Sequence, residues 1–152
     1  MNDNLQEQII KELTDGNNGV AFSKIKKLIG KESSIKLLKQ IIKTNGRSLK
    51  GLVIDGYVGD FPTFIEPVVL TPGVKIGDTA LLGPNVLIGD RCELGAFCEI
   101  TNSILLENVN LGKHCKLDYC VVDSELILPD EYRASNCLLK LNEEGEIEHI
   151  EI

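Results

Sequence analysis

IGDTALLGPNVLIGDRCELGAFCEI, residues 76–100, nearly repeats itself every six residues. Carried back to Phe64, the pattern divides into FIEPVV, LTPGVK, IGDTAL, LGPNVL, IGDRCE and LGAFCE. Each block opens with a large apolar residue (Phe64, Leu70, Ile76, Leu82, Ile88, Leu94) and carries a smaller one fifth (Val68, Val74, Ala80, Val86, Cys92, Cys98). Two positions in six therefore point inward. A helix wants apolar residues at a spacing of about 3.6 and an ordinary strand alternates over a longer run, so neither period fits. Short strands joined by tight corners do fit, with Gly, Asn and Asp supplying the corner backbone. Three such strands close a triangular coil of eighteen residues, and coils stack about 4.8 Å apart through parallel ladder hydrogen bonds.

After Glu99 the period shortens. ITNSILL from Ile100, LDYCVVD from Leu117 and ASNCLLK from Ala134 align with one another at a spacing of 17 residues. Each later coil has lost one residue at the same corner, which stacks Ser103, Cys120 and Cys137. A shortening repeated in register predicts a continuous prism, because unrelated loops would have no reason to repeat it.

These residues resemble the hexapeptide-repeat family. The NSI element after an acidic residue is similar to coils in the carboxy-terminal domains of sugar-1-phosphate nucleotidyltransferases, among them the N-acetylglucosamine-1-phosphate uridyltransferase/glucosamine-1-phosphate acetyltransferase group. The resemblance runs over roughly residues 58–139 and implies a mainly β fold, a left-handed parallel β-helix, that associates as a homotrimer. The expected organisation is a helical segment over residues 1–50, the β-helix over 51–139 and a β tail over 140–152.

The resemblance also implies two classes of function. One is transfer of an acyl group from acyl-coenzyme A, as co-substrate, to a sugar or similar small acceptor. The other is a non-catalytic, trimeric assembly or regulatory subunit of a sugar nucleotidyltransferase. Nucleotidyl transfer itself needs a glycine-rich, phosphate-cradling loop on a domain of more than about 200 residues. These residues supply no such loop, so the expectation is a β-helix without that activity.

His114 is the candidate catalytic base. It stands fourth in LGKHCK, an outward corner position, and the 17-residue spacing places Phe97 one coil before it and Glu131 one coil after. A carboxylate there would orient one imidazole nitrogen and leave the other free to take a proton. The competing reading is a surface or interface histidine. Lys113, not His114, falls where the uridyltransferase group carries the histidine of its HLSY motif, and that motif is absent.

Lys113, Lys116 and Arg133 are the candidate cations for the coenzyme A phosphates, against the alternative of solvated charges on an acidic prism. Asn102 and Ser103 are the candidate acceptor-binding pair, although Asn-Ser is also ordinary corner chemistry. Cys92, Cys98 and Cys115 read as core filler. The five cysteines form no CxxC pair and no His cluster at ligand spacing, so no metal is expected. His149, among the acids of EIEHIEI, reads as an exposed strand residue.

Charge divides the chain. Residues 24–50 carry a net +8, residues 51–152 a net −12 and residues 1–23 a net −3. Three amphipathic helices are expected in the first 50 residues. The first holds Leu5, Ile9, Ile10 and Leu13 and stops at Gly16; the second starts at Ser23 and stops at Gly30. The third starts near Ser33 or Ser34 and ends before Gly46. They are expected to pack on the end of the prism or on neighbouring subunits, hiding an open ladder edge. Helix, turn, helix with Lys36, Lys39, Lys43 and Arg47 also suggests a DNA-binding element, but no aromatic stacking set or base-reading residue accompanies it, and a cationic layer facing an acidic prism explains the charge. No apolar run approaches a membrane span and the start is polar and acidic, so a soluble cytoplasmic protein is expected.

Overall fold

Two inward residues per short strand leave the chain one way to close a core, which is to wind round it. The computed structural model describes residues 2–31, 34–48, 51–54 and 57–152. From Leu52 onward these form a parallel β-helix of about five turns. One face is built from β1 (Leu52–Ile54), β3 (Val68–Leu70), β6 (Val86–Ile88) and β9 (Ser103–Leu105), continued by the second halves of β11 (Lys116–Val122) and β13 (Arg133–Leu141). A second holds β4 (Lys75–Ile76), β7 (Glu93–Leu94), β10 (Asn110–Leu111) and β12 (Ile127–Leu128). The third holds β2 (Thr63–Phe64), β5 (Leu81–Leu82), β8 (Glu99–Thr101) and the first halves of β11 and β13.

The register follows the two spacings. Leu81 pairs with Glu99, and Glu99 with Lys116, a step of 18 and then 17. The lost residue lies between the third and first faces, where Gly83-Pro84-Asn85 is replaced by Thr101-Asn102. With the corner shortened, β11 and β13 run through it without a break. Ser103 then sits over Cys120, its Oγ accepting the Cys120 N–H at 3.1 Å, and Cys120 pairs with Cys137.

Corners impose their own backbone. Phe61, Thr79, Phe97, His114 and Glu131 form one column of left-handed residues, with φ between 53° and 64°. Arg91, Asn108 and Glu125 form a second, and Asn85, Asn102, Tyr119 and Asn136 a third. Left-handed φ costs an L-residue roughly 1–2 kcal/mol, and the ladder bonds on either side hold it there. Glycine enters for a different reason at Gly95. Its φ is ordinary, but a Cβ would meet the Gly112 carbonyl and come within 2.7 Å of the Lys113 nitrogen, so the coils approach too closely for a side chain.

The inward columns fill the prism with thin aliphatic and thiol layers, and every first and fifth block residue named above is buried except Phe64, which is half-buried. β14 (Ile147–Glu151) folds back antiparallel on β13, with Leu138 opposite Ile150, and so covers the last coil.

Three helices, α1 (Asn2–Thr14), α2 (Asn18–Ile29) and α3 (Leu37–Ser48), precede the coils. α1 ends at Thr14, and Gly16 just beyond it takes a left-handed φ of 83°, which glycine adopts without strain. Three boundaries differ from expectation, the first being that α3 begins at Leu37, with Ser34, Ile35 and Lys36 forming a tight turn ahead of it rather than the start of the helix. α2 begins at Asn18 rather than Ser23, because Ala21, fully buried, extends the stripe of Ile25 and Leu28 backwards. α3 continues through Gly46, because Leu38, Ile41, Ile42 and Asn45 keep one face buried to its end. Ser33, proposed as a helix start, lies outside the described residues.

The position of the helices is the main correction. They lie on a side of the prism, not on its end. Val69, Leu87, Ile104, Val121 and Leu138 are the outward residues of the first face, in register from coil to coil. All five are buried, and they share one apolar cluster with Ile9, Leu13, Ile25, Leu28, Leu38, Ile41 and Ile42. Burying such side chains contributes roughly 1.5–3 kcal/mol each, a gain that three short helices packed only on one another would lack. An ion pair and a hydrogen bond add local links: Lys26 Nζ meets Asp123 Oδ1 at 2.9 Å and Lys39 Nζ donates to Asn136 Oδ1 at 2.9 Å.

Candidate functional site

The corner between the second and third faces gathers most of the residues singled out by the sequence. The Phe97 and His114 rings are stacked, with centroids 5.0 Å apart and planes 6° apart. The backbone repeats the relation: His114 N–H donates to the Ala96 carbonyl at 2.9 Å and Glu131 N–H to the Lys113 carbonyl at 2.7 Å. Phe97, His114 and Glu131 thus form the column that the 17-residue period requires. No hydrogen bond joins His114 to Glu131 among the described residues. The imidazole is held by a ring on one side, and all three side chains are exposed.

The cations lie beside this column. Lys113 shares the His114 corner, where its N–H donates to Asp130 Oδ1 at 2.8 Å. Lys116 is two residues further, facing outward, and Arg133 is its partner on the next coil. Lys116 already meets Glu99 at 3.7 Å, an exposed pair worth less than about 1 kcal/mol and easily exchanged for another anion.

Asn102 and Ser103 stand elsewhere. They occupy the opposite edge of the third face, about 15 Å from the histidine column at roughly 3.3 Å per residue. Ser103 is fully buried; its Oγ donates to the Thr101 carbonyl at 2.8 Å and accepts the Cys120 N–H. Asn102 Oδ1 accepts from Asn85 Nδ2 at 3.2 Å, and the same Asn85 amide donates to the Ile42 carbonyl of α3 at 2.7 Å. This pair ties the corner to the helical layer and is not brought together with His114.

The helical cations are partly committed to packing. Lys39, besides its bond to Asn136, lies 5.9 Å above the Tyr119 ring. Lys36 and Lys43 are exposed, and the Arg47 side chain lies outside the described residues. His149 is exposed in β14 and contacts the Tyr132 hydroxyl. The five cysteines are buried and free, and burial pushes the Cys92 thiol up to about 12. Among the described residues no helix is long and apolar enough to cross a membrane.

Two features escaped the sequence reading. Phe61 heads the histidine column and is 84% exposed; it stands eighteen residues before Thr79, so the repeat itself could have placed it. The other is a groove of about 350 Å³ between α2 and the corner that follows the first face. It has no signal in the sequence, since it exists only where the two layers meet.

Stacked coils with two inward residues per rung, left-handed corner columns and a closing strand define a parallel β-helix of the hexapeptide-repeat class. The comparisons place it more closely: residues 64–139, half of the chain, match the family described as the GMPPB C-terminal domain, and the chain belongs to that family, the β-helix domain of sugar nucleotidyltransferases. It is similar to glucose-1-phosphate adenylyltransferase from Haemophilus influenzae, with 27% identity over 88 residues covering 54% of this chain and 20% of that protein. It is also similar to the glucose-1-phosphate adenylyltransferase of an Enterobacter species, with 40% identity over 40 residues, 26% of this chain and 9% of that protein. The chain thus matches at most a fifth of the length of these relatives.

Proposed function

We propose that this protein is a non-catalytic assembly subunit that associates with further copies of itself along the Phe61–His114 edge. In that form it serves as an accessory to a sugar nucleotidyltransferase. The observation that carries this is Phe61. It is 84% exposed at φ 53°, and Phe97 repeats the combination at 49% and φ 61°. Left-handed corners favour Gly, Asn and Asp, and an aromatic side chain there sacrifices both backbone comfort and apolar burial. Such outliers persist where function requires them, and a contact between subunits would recover the lost burial. Val58 and Ile65, 68% and 44% exposed, extend the apolar surface around the same coils.

The test is the double variant Phe61→Asn with Phe97→Asn, chosen because Asn accepts the left-handed corner. Light scattering on a sizing column is expected to show an oligomer for the native chain and a monomer for the variant, with unchanged far-ultraviolet dichroism. A native chain that runs as a monomer at all concentrations defeats the reading.

A second reading is acyl transfer from acyl-coenzyme A to an amino or hydroxyl group of a sugar. What favours it is the convergence of exposed His114 and Glu131 with Lys113, Lys116 and Arg133 at one corner. It requires saturable release of free coenzyme A thiol, lost in His114→Ala. The assembly reading requires the oligomer without thioester consumption.

A further inference from the structure

The groove between α2 and the prism is built like a binding site. One wall is α2, contributing Phe22, Ser23 and Lys27; the other is the corner that follows the first face, contributing Asp90, Leu106 and Ser124. Its lining is mainly apolar, with Leu106 buried and Phe22 half-buried. Ser124 Oγ is buried and has no hydrogen-bond partner among the described residues. That hydroxyl is therefore available to a partner that enters the groove.

The charges are not evenly committed. Lys26 is held by Asp123 at 2.9 Å, and Glu107 by Arg91 at 3.4 Å. Lys27 takes part in no ion pair among the described residues and is exposed at the rim. The first turn of α2 opens on the same groove at Gly19; it has no side-chain cap from Asn17 and no acidic residue, which leaves its backbone N–H groups to donate to an anion. The opposite wall carries the carboxylates Asp90 and Glu107, which oppose a second negative charge on the occupant.

We infer that this groove binds a small organic monoanion, an apolar or aryl body carrying one carboxylate. The apolar body lies between Phe22 and Leu106. The anionic group meets Lys27, Ser23 and the free end of α2, and Ser124 donates its hydroxyl to the same ligand. Because α2 and the prism corner each supply one wall, an occupant links the helical layer to the β-helix. The inference stands apart from the assembly edge, which lies on another corner of the prism.

Three compounds of similar shape separate the possibilities: benzoate as the monoanion, benzamide as its neutral counterpart, and isophthalate as the dianion. Amide spectra of the full chain are followed during titration. Benzoate is expected to shift Gly19, Phe22, Gly89 and Ser124 together, saturating with a dissociation constant around the millimolar range for so small a ligand. Benzamide and isophthalate are each expected to bind about tenfold more weakly. Lys27→Gln, at an exposed position that leaves the fold intact, should weaken benzoate about tenfold and leave benzamide unchanged. Equal binding of benzoate and benzamide, an unchanged affinity in Lys27→Gln, or no saturable shift at these four residues overturns the inference.

Discussion

The imidazole of His114 lies flat against the phenyl ring of Phe97, 5.0 Å from centroid to centroid. That separation is close to the spacing of neighbouring parallel strands, about 4.8 Å. The stacking is thus a direct consequence of coil geometry: any two planar side chains placed at equivalent corners of adjacent coils are offered the same contact. The imidazole edge still faces solvent, so the contact is compatible with either role proposed for His114.

His114→Asn separates structure from chemistry. Asn tolerates the left-handed corner and gives up only an exposed ring contact, so the unfolding free energy should change by less than about 0.5 kcal/mol. A urea midpoint checks this. A loss of several kcal/mol would mean that the ring pair holds the coils together, contrary to the ladder-based account.

Gly95→Ala is expected to be costly. The added methyl meets the Gly112 carbonyl and the Lys113 nitrogen, both backbone atoms that cannot turn aside. Overpacking of this kind costs roughly 1–3 kcal/mol, read from the same urea titration. A neutral result would show that the coils stack more loosely than the structure describes.

Ile104→Asp tests the lateral position of the helices. Ile104 points away from the prism core yet is only 1% exposed, because the helical layer covers it. A buried unpaired carboxylate there should release the helices while the coils, whose core is on the other side of the strand, remain. Protease cleavage within residues 2–48 should accelerate with residues 63–141 still protected. Were the helices on the end of the prism, Ile104 would already face water and the change would do little.

Cys92 sets an alkaline limit. Burial raises its folded pKa to about 12 from an ordinary value of 9.0. The unfolded chain therefore releases this proton at lower pH than the folded one. The contribution to stability is fully present below about pH 9 and is lost as pH rises towards 12. In Cys92→Val the fall in urea midpoint between these values should be shallower than in the native chain; identical slopes would assign the alkaline loss to other groups.

The repeat was legible because a β-helix leaves its geometry in the sequence. Phe64, Leu70, Ile76, Leu82, Ile88 and Leu94 each mark a strand, and the change from 18 to 17 residues marks the shortened corner where Ser103, Cys120 and Cys137 stack. The column of Phe97, His114 and Glu131 followed from the same arithmetic. Helix faces were legible at Ile9, Leu13, Ile25, Leu28, Leu38, Ile41 and Ile42, since apolar spacing reports which face is buried. The ends were less so: Ala21 is too small to stand out, and Gly46 looked like a stop.

What covers a buried face is a different matter. The sequences VVL, VLI, SIL, CVV and CLL along the first face carry apolar residues on both sides of the strand, a sign that this face is covered on its outside as well. The sign does not name the covering layer. Where helices meet coils, Asn102 proved to be occupied by Asn85 and Ser103 by Cys120, bonds between residues 17 positions apart in the chain and one coil apart in space.

The winding of this chain was determined by its sequence alone, because each coil copies the last and local period sets every neighbour. The seat of the helices and the groove beneath α2 were decided only in three dimensions. They depend on two surfaces, each written in its own part of the chain, meeting at an angle that neither period specifies.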